Sequence, residues 1–232
     1  MTLGCTGYNN KCSTYVAYGM GYGLLAHDMV ERFLAHYFGV SAHVYTRGTW
    51  TTPEAAHPDR DVGSTDYVAA GVHLAPTYLK WALLFEDPNS RAVWVGKAVP
   101  RDWLALDHQP LAVSNATTRY GRVSFRIQAE KAATQGGFRV RASVLLPPSY
   151  AAAANAPPGG VRLRLRVPGE HAGHLSAVTV GGVGWAHFDA AAETVDFSRA
   201  ALTPATLEAM RDIVADFAPK STRDSSSSKT KS

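Results

Sequence analysis

The sequence has 232 residues, of which 46% are hydrophobic and 18% charged, so it is long and apolar enough for one large domain or two small ones. The formal net charge is +4 (23 basic minus 19 acidic residues), and the segment after Pro219 contributes +3 of it, which leaves the remainder near +1. The charged residues of that segment are Lys220, Arg223, Asp224, Lys229 and Lys231. Because this short segment dominates the basic isoelectric point, the charge says little about the partners of the rest of the chain.

The amino-terminal region predicts neither a leader sequence nor a metal site. It lacks the basic and apolar regions of a signal peptide, although the start of the sequence is expected to fall inside a domain. Cys5 and Cys12 are spaced C-x6-C, which is not a usual zinc spacing, so we expect reduced thiols, with a disulfide as the alternative in an oxidising compartment. No apolar run approaches about 18 residues, so no membrane span is predicted, and no cofactor is expected.

The first third of the chain predicts helices. Residues 13–38 carry apolar side chains at three- and four-residue steps, which is typical of an amphipathic helix. Gly19, Gly21 and Gly23 interrupt its start, and because this G-x-G-x-G lacks a preceding strand and a Lys-Ser/Thr ending, close helix packing is favoured over a phosphate loop. A second helical segment is predicted over residues 64–86.

A long polar connection, residues 39–62, separates these helices and contains the string YTRGTWTTPEA. Loops of this length are usually functional or disordered. Tyr45, Arg47, Trp50 and Glu54 lie close together in it, which resembles the lining of a site more than a spacer. A Trp ring stacks on the C–H face of a sugar, a carboxylate accepts hydrogen bonds from its hydroxyls, and Arg47 favours an ionised Glu54. An Arg47–Glu54 ion pair that only fixes the loop is the alternative.

The residues after this string offer further polar candidates. His57, Asp59 and Asp61 carry donors at a spacing that suits a metal, but because no distant ligand set is recognisable, a hydrogen-bonded loop cluster is favoured. Asp66 either faces the same cleft or caps the next helix, and the cap is favoured. His57 and Asp66 join Tyr45, Arg47 and Trp50 as candidate substrate-binding residues.

After residue 90 the hydrophobic period changes to two, which predicts an antiparallel β-sandwich. A helical turn is predicted at RDWLAL, a tight turn at Asn115–Thr118, and a closing helix over residues 203–217 with Thr203 as its N-cap and Pro204 at its first position. Residues 219–232 have the composition of a disordered tail. The predicted strands are 91–99, 111–116, 120–130, 137–147, 160–168, 174–182, 183–189 and 192–198.

Several strings in residues 4–146 resemble one known superfamily. They are RGTWTTPE, KWALLFED, WVGKAVPRDWLA and NATTRYGRVSFRI, and they are similar to the C-terminal portion of six-hairpin glycosidase-like proteins of the rhamnosidase-like kind. The order of the predicted elements, helices first and then a block of strands, argues for an α+β chain of two units. The resemblance implies that residues 1–87 are terminal helical hairpins of an alpha/alpha toroid and that residues 88–218 are an accessory antiparallel β-sandwich with its closing helix. It also implies a glycoside hydrolase fragment or truncated homologue that is inactive alone.

The resemblance implies a function and partners as well. Related toroid enzymes place a carboxylate, usually the base, late in the barrel near an aromatic residue, and Glu54 after Trp50 is the best match here. Glu54 is therefore the candidate general base of glycoside hydrolysis. The expected partners are a carbohydrate substrate and a chain that supplies the missing hairpins; no membrane partner is expected, and nucleic acid is disfavoured.

An arginine-rich sheet face supports an alternative function. In three predicted strands apolar residues alternate with arginines, which places the arginines together on one face. Such a face suits a non-catalytic module that binds anionic polysaccharide or nucleic acid, although a solvated outer face is the plainer explanation. The arginines are Arg122, Arg126, Arg139, Arg141, Arg162, Arg164 and Arg166.

Overall fold

The structure is a computed structural model that describes residues 17–45, 52–57, 67–132 and 137–219. The chain is α+β, with few helices and two sheets rich in antiparallel strand pairs. It divides into two compact units, Met1–Asn89 and Ser90–Ser232, which we call the helical unit and the sheet unit. The predicted tail lies outside the described residues apart from Pro219.

The predicted helix over residues 13–38 is two helices in the described part of the chain, and the second one extends further. Asp28 has a φ of 57°, a left-handed conformation that Asp tolerates and that a helix cannot contain. Within the described residues, the predicted helix over 64–86 consists of two helices, which begin at Ala69 and Leu74, and the second ends in extended backbone at Leu84. The elements of the helical unit are α1 (Ala17–Ala26), α2 (Val30–Val44), α3 (Ala69–Val72), α4 (Leu74–Leu83) and β1 (Leu84–Glu86).

Gly21 explains the close packing of α1 on α4. A Cβ added at Gly21 would lie 2.6 Å from Cε1 of Tyr78 and nearer still to its Cζ and Oη atoms, whereas one added at Gly19 or Gly23 meets no atom within 4 Å. Only the middle glycine of G-x-G-x-G therefore has a packing role. This agrees with the interpretation of the motif as a helix contact.

The sheet unit contains two sheets. Their strands are β2 (Val93–Val95), β3 (Leu111–Thr118), β4 (Gly121–Lys131), β5 (Phe138–Leu145), β6 (Val161–Arg164), β7 (Leu175–Val180), β8 (Val183–Gly184), β9 (Phe188–Asp189), β10 (Thr194–Phe197) and β11 (Ile213–Phe217). In one sheet, the strand order is β3-β4-β5-β11-β7-β8 with antiparallel pairing throughout. In the other, the order includes β2-β6-β10-β9, and β2 pairs parallel with β6.

The core of the sheet unit is built from the alternating apolar residues of these strands. Their side chains are buried, whereas most of their neighbours in sequence are partly or fully exposed. The helical turn predicted at RDWLAL is present as a short 3-10 helix, Arg101–Leu104. Buried core residues include Phe125, Ile127, Val140, Val144, Leu163, Leu165, Phe197, Ile213 and Phe217.

Three local predictions in the sheet unit are wrong. The strand predicted over residues 183–189 is two short strands, β8 and β9, which belong to different sheets. The closing helix α5 spans only Pro204–Ala209, and IVADF forms β11 instead of further helix, because it pairs with β5 on one side and β7 on the other. The predicted turn at Asn115–Thr118 lies inside β3, which runs through it with a bulge at Asn115 (φ 55°) and turns only at Arg119–Tyr120. The predicted cap is correct, since the Thr203 hydroxyl accepts a hydrogen bond from the Thr206 N–H.

The seven arginines predicted to share one face lie in two different places. Four belong to β4 and β5 of the six-stranded sheet, and the other three belong to β6 and the residues after it. Arg164 is only 6% exposed and donates a hydrogen bond to Oγ1 of Thr194 at 3.1 Å. Arg166 is only 3% exposed and donates a hydrogen bond to the Val99 carbonyl oxygen at 2.8 Å. A single arginine face made of all seven residues is therefore excluded.

Candidate functional site

Tyr45 is a predicted site residue whose hydroxyl has hydrogen-bond partners in the structure. It directly follows α2, and its hydroxyl lies 3.4 Å both from the Val72 carbonyl oxygen, to which it donates, and from the Ala75 N–H, from which it accepts. Burial raises the pKa of the Tyr45 hydroxyl, opposed by the hydrogen bond from Ala75. The hydroxyl is therefore neutral at pH 7 and acts as both donor and acceptor.

Tyr45 belongs to a group of four tyrosines, Tyr18, Tyr37, Tyr45 and Tyr78, which we call the tyrosine cluster. The Tyr78 ring centroid lies 6.4 Å from that of Tyr18 and 5.6 Å from that of Tyr37. Burial raises the pKa of both the Tyr18 and Tyr37 hydroxyls, and the nearby Tyr45 acts in the same direction on each. For Tyr18 a hydrogen bond with the Thr77 side chain opposes this rise. The half-buried phenol groups of Tyr18 on α1, Tyr37 on α2 and Tyr45 just after α2 are therefore neutral and lie near one another.

Tyr78 anchors the cluster from inside the helical unit. Its side chain is 0% exposed, and its hydroxyl donates to the Ala17 carbonyl oxygen of α1. His36 of α2 lies with Nε2 at 3.1 Å from the same hydroxyl oxygen. Because the single phenolic hydrogen is used on Ala17, His36 must donate from Nε2 and is the Nε2–H tautomer when neutral. Burial raises the pKa of Tyr78 far above its usual value, so the phenol stays protonated.

The pH dependence of stability is expected to report on His36. Burial lowers the pKa of His36 below its usual value near 6.5, so the unfolded chain binds a proton that the folded chain excludes. The free energy of unfolding should therefore fall as the pH drops from about 6.5 towards the lower folded-state pKa, with a slope of at most about 1.4 kcal/mol per pH unit. Urea unfolding at a series of pH values from 7.5 to 5 measures it.

His36→Gln is the control for that measurement, because a Gln side-chain amide can still donate to the Tyr78 oxygen but does not titrate. Its free energy of unfolding is expected to change less steeply over the same pH range. An equal slope in the two proteins would show that His36 does not titrate on unfolding.

A partly exposed aromatic face adjoins the tyrosine cluster. The ring of Trp81 on α4 meets Tyr18 edge-on at 6.4 Å and Tyr22 edge-on at 5.3 Å between centroids, and all three side chains are half-buried. Phe85 meets Trp81 edge-on from beyond the helix end at 6.5 Å. Such rings offer apolar surface of the type that packs against the C–H face of a sugar.

Glu54 lies in the short described segment Thr52–His57. Its side chain is half-buried, while its neighbours Pro53 and Ala55 are buried. The Val68 N–H donates to the Thr52 carbonyl oxygen at 2.8 Å, which fixes the start of this segment against the residues before α3. Glu54 therefore follows a backbone position that is fixed by a hydrogen bond, and as a residue it is neither fully buried nor fully exposed.

Of the remaining predicted site residues, only His57 is among those that the structure describes. Arg47, Trp50 and Asp66 lie outside the described residues, as do Asp59 and Asp61 of the alternative metal group. His57 is described and exposed, and its side chain forms no hydrogen bond or ion pair with any described residue. Within the described ranges no group of three or more His, Cys, Asp or Glu side chains suits a metal ion.

Sequence reasoning selected Tyr45 as a candidate but did not select Tyr18, Tyr37 or His36, which lie at the same tyrosine cluster. These residues occupy helical positions in which an aromatic or imidazole side chain is normally part of the core. The available signal was the number of tyrosines on the predicted helices. A pattern along one helix does not show that hydroxyls from separate helices meet.

Comparisons with known proteins give no family for this chain. No protein-family model, no curated protein and no solved structure matches it. No helix in the described residues is long and apolar enough to cross a membrane.

Proposed function

We propose that this chain is a carbohydrate-active protein related to six-hairpin glycosidase-like hydrolases. The observation that carries the proposal is the position of Tyr45, two residues before the string RGTWTTPE, beside Tyr18 and Tyr37 in the helical unit. In this proposal the helical unit corresponds to terminal hairpins of a toroid and binds the sugar. The sheet unit is the accessory sandwich.

The chemistry of the helical unit supports a neutral sugar ligand. Pyranose rings present hydroxyls at their edges and C–H groups on their faces, so a site for them combines polar groups with aromatic rings. Tyr18, Tyr37 and Tyr45 provide neutral hydroxyls, and the half-buried ring of Trp81 provides the apolar surface. No ionised partner is required for this recognition.

Glu54 is the proposed catalytic group. A general base must be ionised and within reach of a water molecule. Glu54 is a carboxylic acid residue of intermediate exposure, which is compatible with this role. Hydrolysis needs a second carboxylic acid on the other side of the glycosidic bond. For this reason sugar binding is the primary measurement for this chain, and hydrolysis of aryl glycosides is the secondary one.

Tyr45→Phe is expected to weaken oligosaccharide binding about 3- to 10-fold, because it removes one hydroxyl and keeps the ring. Trp81→Ala should weaken it by a similar factor or more through loss of the stacking surface. A panel of neutral oligosaccharides screened by glycan array, followed by isothermal titration calorimetry on the best ligand, gives the affinities. Glu54→Gln should abolish any hydrolysis that the unmodified chain shows.

Tyr120→Phe provides the matched control, since Tyr120 is also half-buried but lies in the β3–β4 turn of the sheet unit. Its affinity should equal that of the unmodified chain. Equal affinities for Tyr45→Phe, Trp81→Ala and the unmodified chain would remove the tyrosine cluster from sugar binding. Failure of every neutral oligosaccharide to bind would contradict the proposed function.

A further inference from the structure

A depression on the outer face of the six-stranded sheet brings three arginines together. It has a volume of about 80 Å³ and is lined by Arg126, Gln128, Arg141, Ala142, Ser143 and Arg211. On the neighbouring strands β4 and β5, Arg126 pairs directly with Ser143, and Gln128 with Arg141. The two arginines are therefore diagonal neighbours that flank a side-chain amide and a hydroxyl.

The three arginines differ in how their charges are matched. Arg141 bonds Asp212 at 2.7 Å and Glu130 at 3.3 Å, and Arg211 bonds Glu208 at 2.9 Å. Arg126 contacts only the Gln128 amide oxygen, at 3.4 Å, and forms no ion pair with a described residue. The depression therefore contains one exposed guanidinium group without a matching acid, next to a second one that is held by exposed carboxylates.

We propose that this depression binds an oxyanion group, a carboxylate or a sulfate, of an anionic polysaccharide. Guanidinium groups bind such oxyanions through paired N–H donors, and the Gln128 amide and Ser143 hydroxyl are suited to the neighbouring sugar hydroxyls. The site is on the sheet unit and uses none of the residues proposed for neutral-sugar binding. It therefore stands independently of the proposed function.

The lining favours a polysaccharide over a nucleic acid. Single-stranded nucleic acids bind to basic surfaces that also present aromatic rings for base stacking, and no aromatic residue lines this depression. The surrounding arginines are mostly paired with acids, for example Arg139 with Asp216 at 2.7 Å, so the face lacks the dense positive charge that a phosphate backbone requires.

Affinity electrophoresis of the full chain in gels that contain polygalacturonate, dextran sulfate or uncharged dextran tests the proposal. We expect stronger retardation by one or both anionic polymers than by dextran, and the comparison of the two anionic polymers shows whether the group is a carboxylate or a sulfate. Arg126→Gln should weaken the binding about 3- to 10-fold. Asp212→Asn should strengthen it, because it releases Arg141 for the ligand. Added salt should weaken binding in every case.

Two variants make the test specific. Arg32→Gln removes the same charge from an exposed position of α2 and should bind like the unmodified chain. Replacing Lys220, Arg223, Lys229 and Lys231 by Gln should leave most of the binding intact. Equal binding by Arg126→Gln and Arg32→Gln, or loss of binding in the four-residue variant, would overturn the site. Tighter binding of single-stranded DNA than of either polymer would overturn the choice of polysaccharide.

Discussion

Arg101→Ala is expected to lower the free energy of unfolding of the sheet unit by about 3 kcal/mol, the largest effect that we predict. The carboxylate of Glu193 is only 2% exposed and accepts from Nη1 of Arg101 at 2.8 and 2.9 Å and from the Gly173 N–H at 3.0 Å. Without Arg101 the buried carboxylate keeps one neutral donor and loses its counter-charge. The cost of leaving a buried charge unpaired exceeds that of losing an exposed ion pair.

Urea unfolding measures the effect, and hydrogen exchange at the Leu165 amide localises it, because that N–H bonds the Glu193 carbonyl oxygen at 2.9 Å.

Arg141→Ala is the matched control, since both partners of Arg141 are at least one third exposed, and it should lower the free energy of unfolding by less than about 1 kcal/mol. In an Arg101→Ala background, Glu193→Gln should restore part of the loss because it removes the unpaired charge. Equal effects of Arg101→Ala and Arg141→Ala would contradict the argument.

Gly21→Ala should lower the free energy of unfolding of the helical unit by about 2 kcal/mol, although Gly→Ala normally stabilises an α-helix by about 1 kcal/mol. The new methyl group would overlap the ring of Tyr78. That ring is fully buried, bonded through its hydroxyl to the Ala17 carbonyl oxygen and packed against Phe33 at 5.3 Å between centroids. Because Tyr78 cannot move without breaking these contacts, overpacking outweighs the gain in helix propensity.

Gly19→Ala and Gly23→Ala are controls within the same helix. Neither added Cβ meets an atom within 4 Å, so each substitution should raise the free energy of unfolding by about 0.5–1 kcal/mol. Circular dichroism during urea unfolding gives all three values. A stabilising Gly21→Ala would show that α1 and α4 are not packed as closely as Tyr78 indicates.

The sequence by itself predicted those features that depend on residues near one another in the chain. Strict alternation of apolar and polar residues predicted β4, β5 and β6, because successive side chains of a strand point to opposite faces. Thr203 followed by Pro204 predicted the start of α5, because the cap joins residues only three positions apart. These interactions are short in sequence, so a local pattern is sufficient evidence for them.

Only the tertiary structure decided the features that join distant segments. IVADF suits either a helix end or a strand, and its place between β5 and β7 makes it β11. The alternation of residues predicted that the arginines of each strand point away from its apolar face. The strand order places these arginines in two different sheets, and Arg164 is buried. Residues 18, 37, 45 and 78 form one tyrosine cluster because three helices pack together, and the free energy of that packing comes from contacts that no local pattern contains.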